Sequence, residues 1–112
     1  MEQLTTSVTA EESYIVVTLA GEVDVTTAQQ MRDVLMSQAA QGTPRLIVDL
    51  SGLGFMDSSG VRVLLTVRGA LEASGRTLAL ASPQPVVARM LSLVGADQLI
   101  PVYGSLGEAR SG

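Results

Sequence analysis

The chain of 112 residues contains no histidine, no cysteine and no lysine. Each absence removes a class of chemistry. Without His or Cys there is no Ser-His-Asp or Cys-His nucleophile system, and without Lys no Ser-Lys variant and no Schiff base. Zinc sites built on Cys or His are excluded. So are disulfides, which means that cysteine usage does not report the compartment. An enzyme here would have to work with carboxylates, hydroxyls and arginine alone. Aromatics are scarce too. Tyr14, Phe55 and Tyr103 are the only three, too few for a surface that stacks single-stranded nucleic acid. The seven basic residues are scattered arginines in a chain of net charge −4, which argues against nucleic acid as a direct partner. No run reaches the ~18 consecutive apolar residues of a membrane span. Met1-Glu2-Gln3-Leu4 lacks the basic-then-apolar profile of a signal peptide. The expectation is a cytoplasmic protein with no membrane partner and no cofactor.

What is present suits a compact fold. Hydrophobic residues make up 46% of the chain, enough for a real core at this length, and residues 1–112 read as one domain. Leu4 to Ala10 and Tyr14 to Leu19 alternate apolar with polar residues, and Glu11-Glu12-Ser13 between them makes a hairpin turn. Gly21-Glu22-Val23-Asp24 reads as a loop, and Thr26 or Thr27 as the cap of a helix. That helix carries Ala28, Met31, Val34, Leu35 and Ala39 on one face and stops at Gly42-Thr43-Pro44. Leu46 to Leu50 has the near-continuous apolar character of a strand covered on both faces.

A second helical pattern starts near Val61. Gly60, Leu64, Val67 and Leu71 share its apolar face, and Gly75 ends it. Thr77 to Ala81 is a strand, Ser82-Pro83-Gln84-Pro85 a turn, and Val86 or Val87, Met90, Leu91 and Val94 a helical face. Leu99 to Tyr103 is a strand that Pro101 puts at an edge. Ser105 and Glu108 have capping-box spacing for a short last helix. The order β-β-α-β-α-β-α-β-α predicts an α/β fold. Its sheet is mixed but mostly parallel, with about five strands, an N-terminal β-hairpin and about four helices.

The segment richest in chemistry is Asp57-Ser58-Ser59-Gly60, between a strand and a helix. Sites in open α/β sheets gather at such exits. A hydroxyl there can cap the helix, attack an electrophile, or accept a phosphoryl group. Asp or Ser before an apolar-periodic run is the ordinary helix start signal, so spacing alone favours the cap. Three polar residues and a glycine are more than a cap requires, and Gly60 would leave the backbone open to another molecule. A serine nucleophile needs a base within reach, and a neighbouring carboxylate is a weak one at neutral pH. A phosphoacceptor needs less, because the base and the metal can belong to a kinase. Asp49, inside an apolar run, reads as a hydrogen-bonded or solvated residue at a strand end. Arg62 and Arg68 read as a solvated face that could meet an acidic partner.

The run Leu50-Ser51-Gly52-Leu53-Gly54-Phe55-Met56-Asp57-Ser58-Ser59-Gly60-Val61 resembles the signature of the STAS domain, and in particular of its anti-sigma factor antagonists. Leu19-Ala20-Gly21-Glu22-Val23-Asp24 resembles a second element of that family. Two motifs in the right order, in a matching element order from about Leu4 to Arg110, make the resemblance specific. It implies a regulatory binding protein and not an enzyme. It implies Ser58 as the phosphoacceptor, with Ser59 as the alternative. The partner would be an anti-sigma factor with ATP-dependent serine kinase activity, bound only by the unphosphorylated form, so that a sigma factor is released. A metal-dependent serine phosphatase would reset the switch. Asp24, Glu22, Met56, Asp57, Ser58, Ser59 and Gly60 would form the partner surface, with no metal site. The alternatives are a STAS subunit of another assembly, such as a stress-signalling complex or a transporter accessory, and a small carboxylate-dependent enzyme. The intact acceptor sequence speaks against the first and the missing bases against the second.

Overall fold

The computed structural model describes residues 3–112. Met1 and Glu2 lie outside it, and with them part of the signal-peptide reading. The chain runs β1 (Thr5–Ala10), β2 (Tyr14–Val23), α1 (Ala28–Ala39), β3 (Arg45–Met56), α2 (Ser58–Glu72), β4 (Thr77–Ala81), α3 (Pro85–Leu93), a 3₁₀ turn (Ala96–Gln98), β5 (Val102–Tyr103) and α4 (Leu106–Ser111). The strands lie in sequence order, β1-β2-β3-β4-β5. β1 is antiparallel to β2 and every later pair is parallel. This is the mixed, mostly parallel sheet expected from the sequence.

Residue periodicity explains the layers. Alternate residues of β2 to β4, among them Val17, Leu19, Val48, Leu50 and Leu80, share one core with Met31 and Leu35 of α1, Leu64, Val67 and Leu71 of α2, and Val87 and Leu91 of α3. The opposite face of the sheet presents Val16, Ile47 and Ala81 to Ala109 of α4, with Tyr14, Tyr103 and Leu106 at the margin. The Leu46-Ile47-Val48 run is therefore covered on both sides, which is why it does not alternate. Full burial of a side chain such as Leu64 stabilises the fold by roughly 1.5–3 kcal/mol. β1 lies outside this double cover. Its Val8 is 42% exposed, and the apolar alternation read there buries only Leu4, just before the strand.

The structure departs from the sequence reading at several element ends. β2 continues through Gly21, Glu22 and Val23, which had the look of a loop. β3 runs past Leu50 to Met56, because its ladder with β2 continues through Ala20–Gly52, Gly21–Leu53, Glu22–Phe55 and Val23–Met56. Ser and Gly are weak strand formers, and here a neighbouring strand overrides them. α2 begins at Ser58, three residues before Val61. Val94 falls outside α3 and is half exposed, since α3 ends at Leu93. Leu99 to Pro101 is not strand; the preceding 3₁₀ turn takes up that length, and β5 is two residues at the sheet edge. Ser105 caps α4 as its spacing indicated, accepting from the Glu108 amide at 3.1 Å.

Candidate functional site

The site forms where the C-terminal ends of β2 and β3 lie side by side. Val23 pairs with Met56, and one step further the Asp57 amide donates to the Val23 carbonyl at 3.1 Å. Asp24 and Asp57 therefore leave the sheet from adjacent strands, each toward the start of a helix. The ladder reaches this point through two irregularities in register, between Thr18 and Ala20 and between Gly21 and Glu22, each with its extra residue on β3. Bulges of this kind bend the strand that carries the extra residue and re-aim its end. Gly21 of β2 lies at the second of them. Its φ is +110°, and a Cβ there would lie 1.8 Å from the Gln3 carbonyl oxygen. No larger residue fits that backbone and that neighbour.

The two exits carry the same hydrogen-bond device. In the first, Asp24 Oδ1 accepts from the Thr26 amide at 2.8 Å and the Thr26 hydroxyl at 2.6 Å. In the second, Asp57 Oδ1 accepts from the Ser59 amide at 2.9 Å and the Ser59 hydroxyl at 2.5 Å. Each carboxylate holds the residue two positions on, the local pattern that Asp favours in turns and at helix starts. Asp57 is extended (φ −100°, ψ −171°) and is the N-cap of α2. The first exit needs a further support. Thr27, the N-cap of α1, does not cap it with its side chain. Its hydroxyl accepts from the Asp24 amide at 3.1 Å and donates to the Glu22 carbonyl at 3.0 Å instead. The Thr26 hydroxyl, then its amide, hold the Asp24 carboxyl below its ordinary value of 3.8, with Thr27 adding to the same direction and partial desolvation opposing it.

In both turns the clamped residue leaves the one before it pointing outward. At the first turn that residue is Val25, 79% exposed. At the second it is Ser58, exposed, whose hydroxyl has no hydrogen-bond partner among the described residues. Ser59 is half-buried and committed to Asp57. The two serines thus have different work. Ser59 supports the turn, and Ser58 is presented. Asp57 Oδ1 is engaged with Ser59, and no hydrogen bond joins Asp57 to the Ser58 hydroxyl among the described residues. Among the described residues no group of three or more Asp or Glu is placed to hold a metal ion.

Two expected surface residues lie inside. Met56 is 2% exposed and Gly60 is buried. A Cβ on Gly60 would stand 2.5 Å from Met56 Cγ, 2.7 Å from its sulfur and 2.9 Å from Val23 Cγ1. Gly60 therefore does not open the backbone to another molecule. It lets α2 sit directly on the ends of β2 and β3, with Met56 as the packing beneath the turn. Glu22 lies partly buried at the end of β2. Asp49 accepts from the Ser51 amide at 3.0 Å, well inside the strand and not at its end. Arg68 is committed to Glu72 at 3.1 Å and to the Leu99 carbonyl at 2.8 Å. Sequence reasoning passed over the roles of Thr26 and Val25. The signal was there: Asp followed two residues later by a hydroxyl residue, once in Asp24-Val25-Thr26 and again in Asp57-Ser58-Ser59.

No helix among the described residues is long and apolar enough to cross a membrane. Known proteins share both the sequence and this geometry. The STAS domain family matches residues 5–109. An anti-sigma F factor antagonist of Lysinibacillus sphaericus is 39% identical over 83 residues, covering 72% of this chain and 70% of that protein. The crystal structure of an anti-sigma factor antagonist from Mycobacterium paratuberculosis has a TM-score of 0.90 at 28% identity, covering 97% of this chain and 92% of that one. The Bacillus cell fate determinant SpoIIAA, solved in its phosphorylated form, has a TM-score of 0.69 at 27% identity, covering 99% and 97%. The family match spans every strand and both aspartate turns, and the chain belongs to the STAS domain family.

Proposed function

We propose that this chain is an anti-sigma factor antagonist, a binding protein switched by phosphorylation of Ser58. The observation that carries this reading is the free, outward hydroxyl of Ser58, held out by a turn whose carboxylate is spent on Ser59. Relatives along most of the chain bear that name, and one of similar fold is known in a phosphorylated form. In the unphosphorylated state Asp24, Glu22, Asp57, Ser58 and Ser59 meet an anti-sigma factor, which gives up its sigma factor. Met56 and Gly60 shape that surface from below. Residues 1–112 act as one domain, in the cytoplasm of a bacterium, where sigma factors work.

The anti-sigma factor is also the kinase in this reading. The Ser58 oxygen forms a bond to the γ-phosphorus of ATP, the bond from that phosphorus to the bridging oxygen breaks, and ADP leaves. The serine proton goes to a base on the kinase. A metal-dependent phosphatase restores the hydroxyl by hydrolysis and releases inorganic phosphate. Magnitudes separate the consequences. A phosphoserine adds about −1.5 to −2 charge. At a helix N-terminus the dipole favours that charge by only ~0.3–1 kcal/mol, so the fold hardly changes. Taking it out of water against a docked protein costs several kcal/mol, so the complex breaks.

The test starts with a pull-down that identifies the bound anti-sigma factor. Incubated with that protein and Mg-ATP, the wild-type chain gains one phosphoryl group and dissociates. Ser58→Ala gains none and stays bound. Undiminished phosphorylation of Ser58→Ala would move the acceptor elsewhere, with Ser59 the first place to look.

A further inference from the structure

Arg62 stands one helical turn after Ser58 in α2. Residues four apart on a helix are neighbours on its surface. Arg62 is exposed and makes no ion pair or hydrogen bond among the described residues. Three of the other six arginines are engaged. Arg45 donates to the Ala109 and Arg110 carbonyls, Arg76 to the Ala39 carbonyl, and Arg68 to Glu72 and Leu99. Arg62 instead borders a groove between α1 and α2, shared with Arg32, Gln29, Ser59 and Thr66. No carboxylate lines this groove, although the chain carries eleven acidic residues against seven basic ones. Asp57 holds Ser59, Asp33 of α1 accepts from Gln29 at 2.7 Å, and Asp24 holds Thr26, each through one carboxylate oxygen.

We propose that Arg62 receives the phosphoryl group of phosphorylated Ser58, with Arg32 adding positive charge from across the groove. This rests on the reading of Ser58 as the acceptor. A phosphoserine offers three strong acceptor oxygens, and the guanidinium fork matches two of them at once. The switch then has two parts. Phosphorylation places a dianion on the surface that meets the partner, and it also commits Arg62 to an internal pair.

The experiment uses full-length chain with phosphoserine incorporated at position 58 during translation, so that no kinase is involved. Phosphorus NMR then follows the second ionisation of the phosphate. A nearby cation favours the dianion and lowers that pKa. Arg62→Gln is expected to raise it by roughly 0.3 or more, the size of an exposed pair at this spacing. Arg62→Lys recovers part of the difference, because it keeps the charge and loses the fork. Arg32→Gln produces a smaller rise, and Arg110→Gln on α4 none. The same pKa in wild type and Arg62→Gln, with both chains folded, would overturn the proposal. Failure of the wild-type chain to be phosphorylated by its anti-sigma factor would sink the acceptor reading while leaving this result standing.

Discussion

The starts of α1 and α2 are built on one plan and put to different uses. Asp24-Val25-Thr26-Thr27 and Asp57-Ser58-Ser59-Gly60 both place an aspartate at a strand exit, clamp the residue two positions on, and turn the residue between them outward. The difference lies in the second and fourth positions. The outward residue is apolar Val25 in one turn and hydroxyl-bearing Ser58 in the other. The fourth is Thr27, tied to Asp24 and Glu22, against Gly60, pressed onto Met56 and Val23. One turn is braced by side-chain hydrogen bonds and the other by contact with the core. Under the proposed phosphorylation of Ser58, the turn has to keep its shape while the serine gains and loses a phosphate, and the second brace serves that better. Its support comes from beneath, away from the reacting side chain.

The largest effect expected from exchanging features between the turns is at the fourth position. Gly60→Thr, which copies the first turn, forces a branched side chain into Met56 and should cost about 1–3 kcal/mol or more. Denaturant midpoints measure it. A fully stable Gly60→Thr would show that Met56 moves freely aside and that the contact is no brace. The next effect separates the two aspartates. Asp57→Ala removes the N-cap of a 15-residue helix and should cost about 0.5–2 kcal/mol. Asp24→Ala removes a residue four positions before α1 and should cost less. Equal losses in thermal unfolding would mean that the two turns are energetically alike. The smallest effect is in pH dependence. Folding lowers the Asp24 pKa, so the stabilisation it brings is present above its ordinary value of 3.8 and disappears as pH falls through the lower folded value. Urea unfolding from about pH 5 to about pH 3 should therefore show wild type losing more stability than Asp24→Asn. Parallel curves would remove Thr26 as the cause.

Most of the element order was legible because Leu46 to Leu50 is a short, nearly continuous apolar run and Gly60 to Leu71 keeps a helical period. The ends of β2 and β3 were not, since Gly21, Ser51, Gly52 and Gly54 are residues that usually break strands. What keeps them in the sheet is the ladder between β2 and β3, Ala20 with Gly52 and Gly21 with Leu53, a long-range fact that no local window contains. The site was legible as a location and as a pair of motifs. The division of labour between Ser58 and Ser59 rests on which of them Asp57 holds, and two adjacent serines look alike in a sequence. The inward placement of Met56 and Gly60 could not be read, because a glycine at a helix start looks the same whether it faces solvent or a methionine. Val25 carried a weak sign in its spacing, an apolar residue between Asp and Thr.

The strand order β1-β2-β3-β4-β5 has a consequence for how the chain is made. Each strand lies beside the one synthesised just before it, so the sheet can grow from one edge as residues leave the ribosome, N-terminal part first. Both aspartate turns and the two helices that follow them are complete by Glu72. Both turns thus lie among the residues made before β4. The strands and helices that follow seal the core behind two turns that have already been translated.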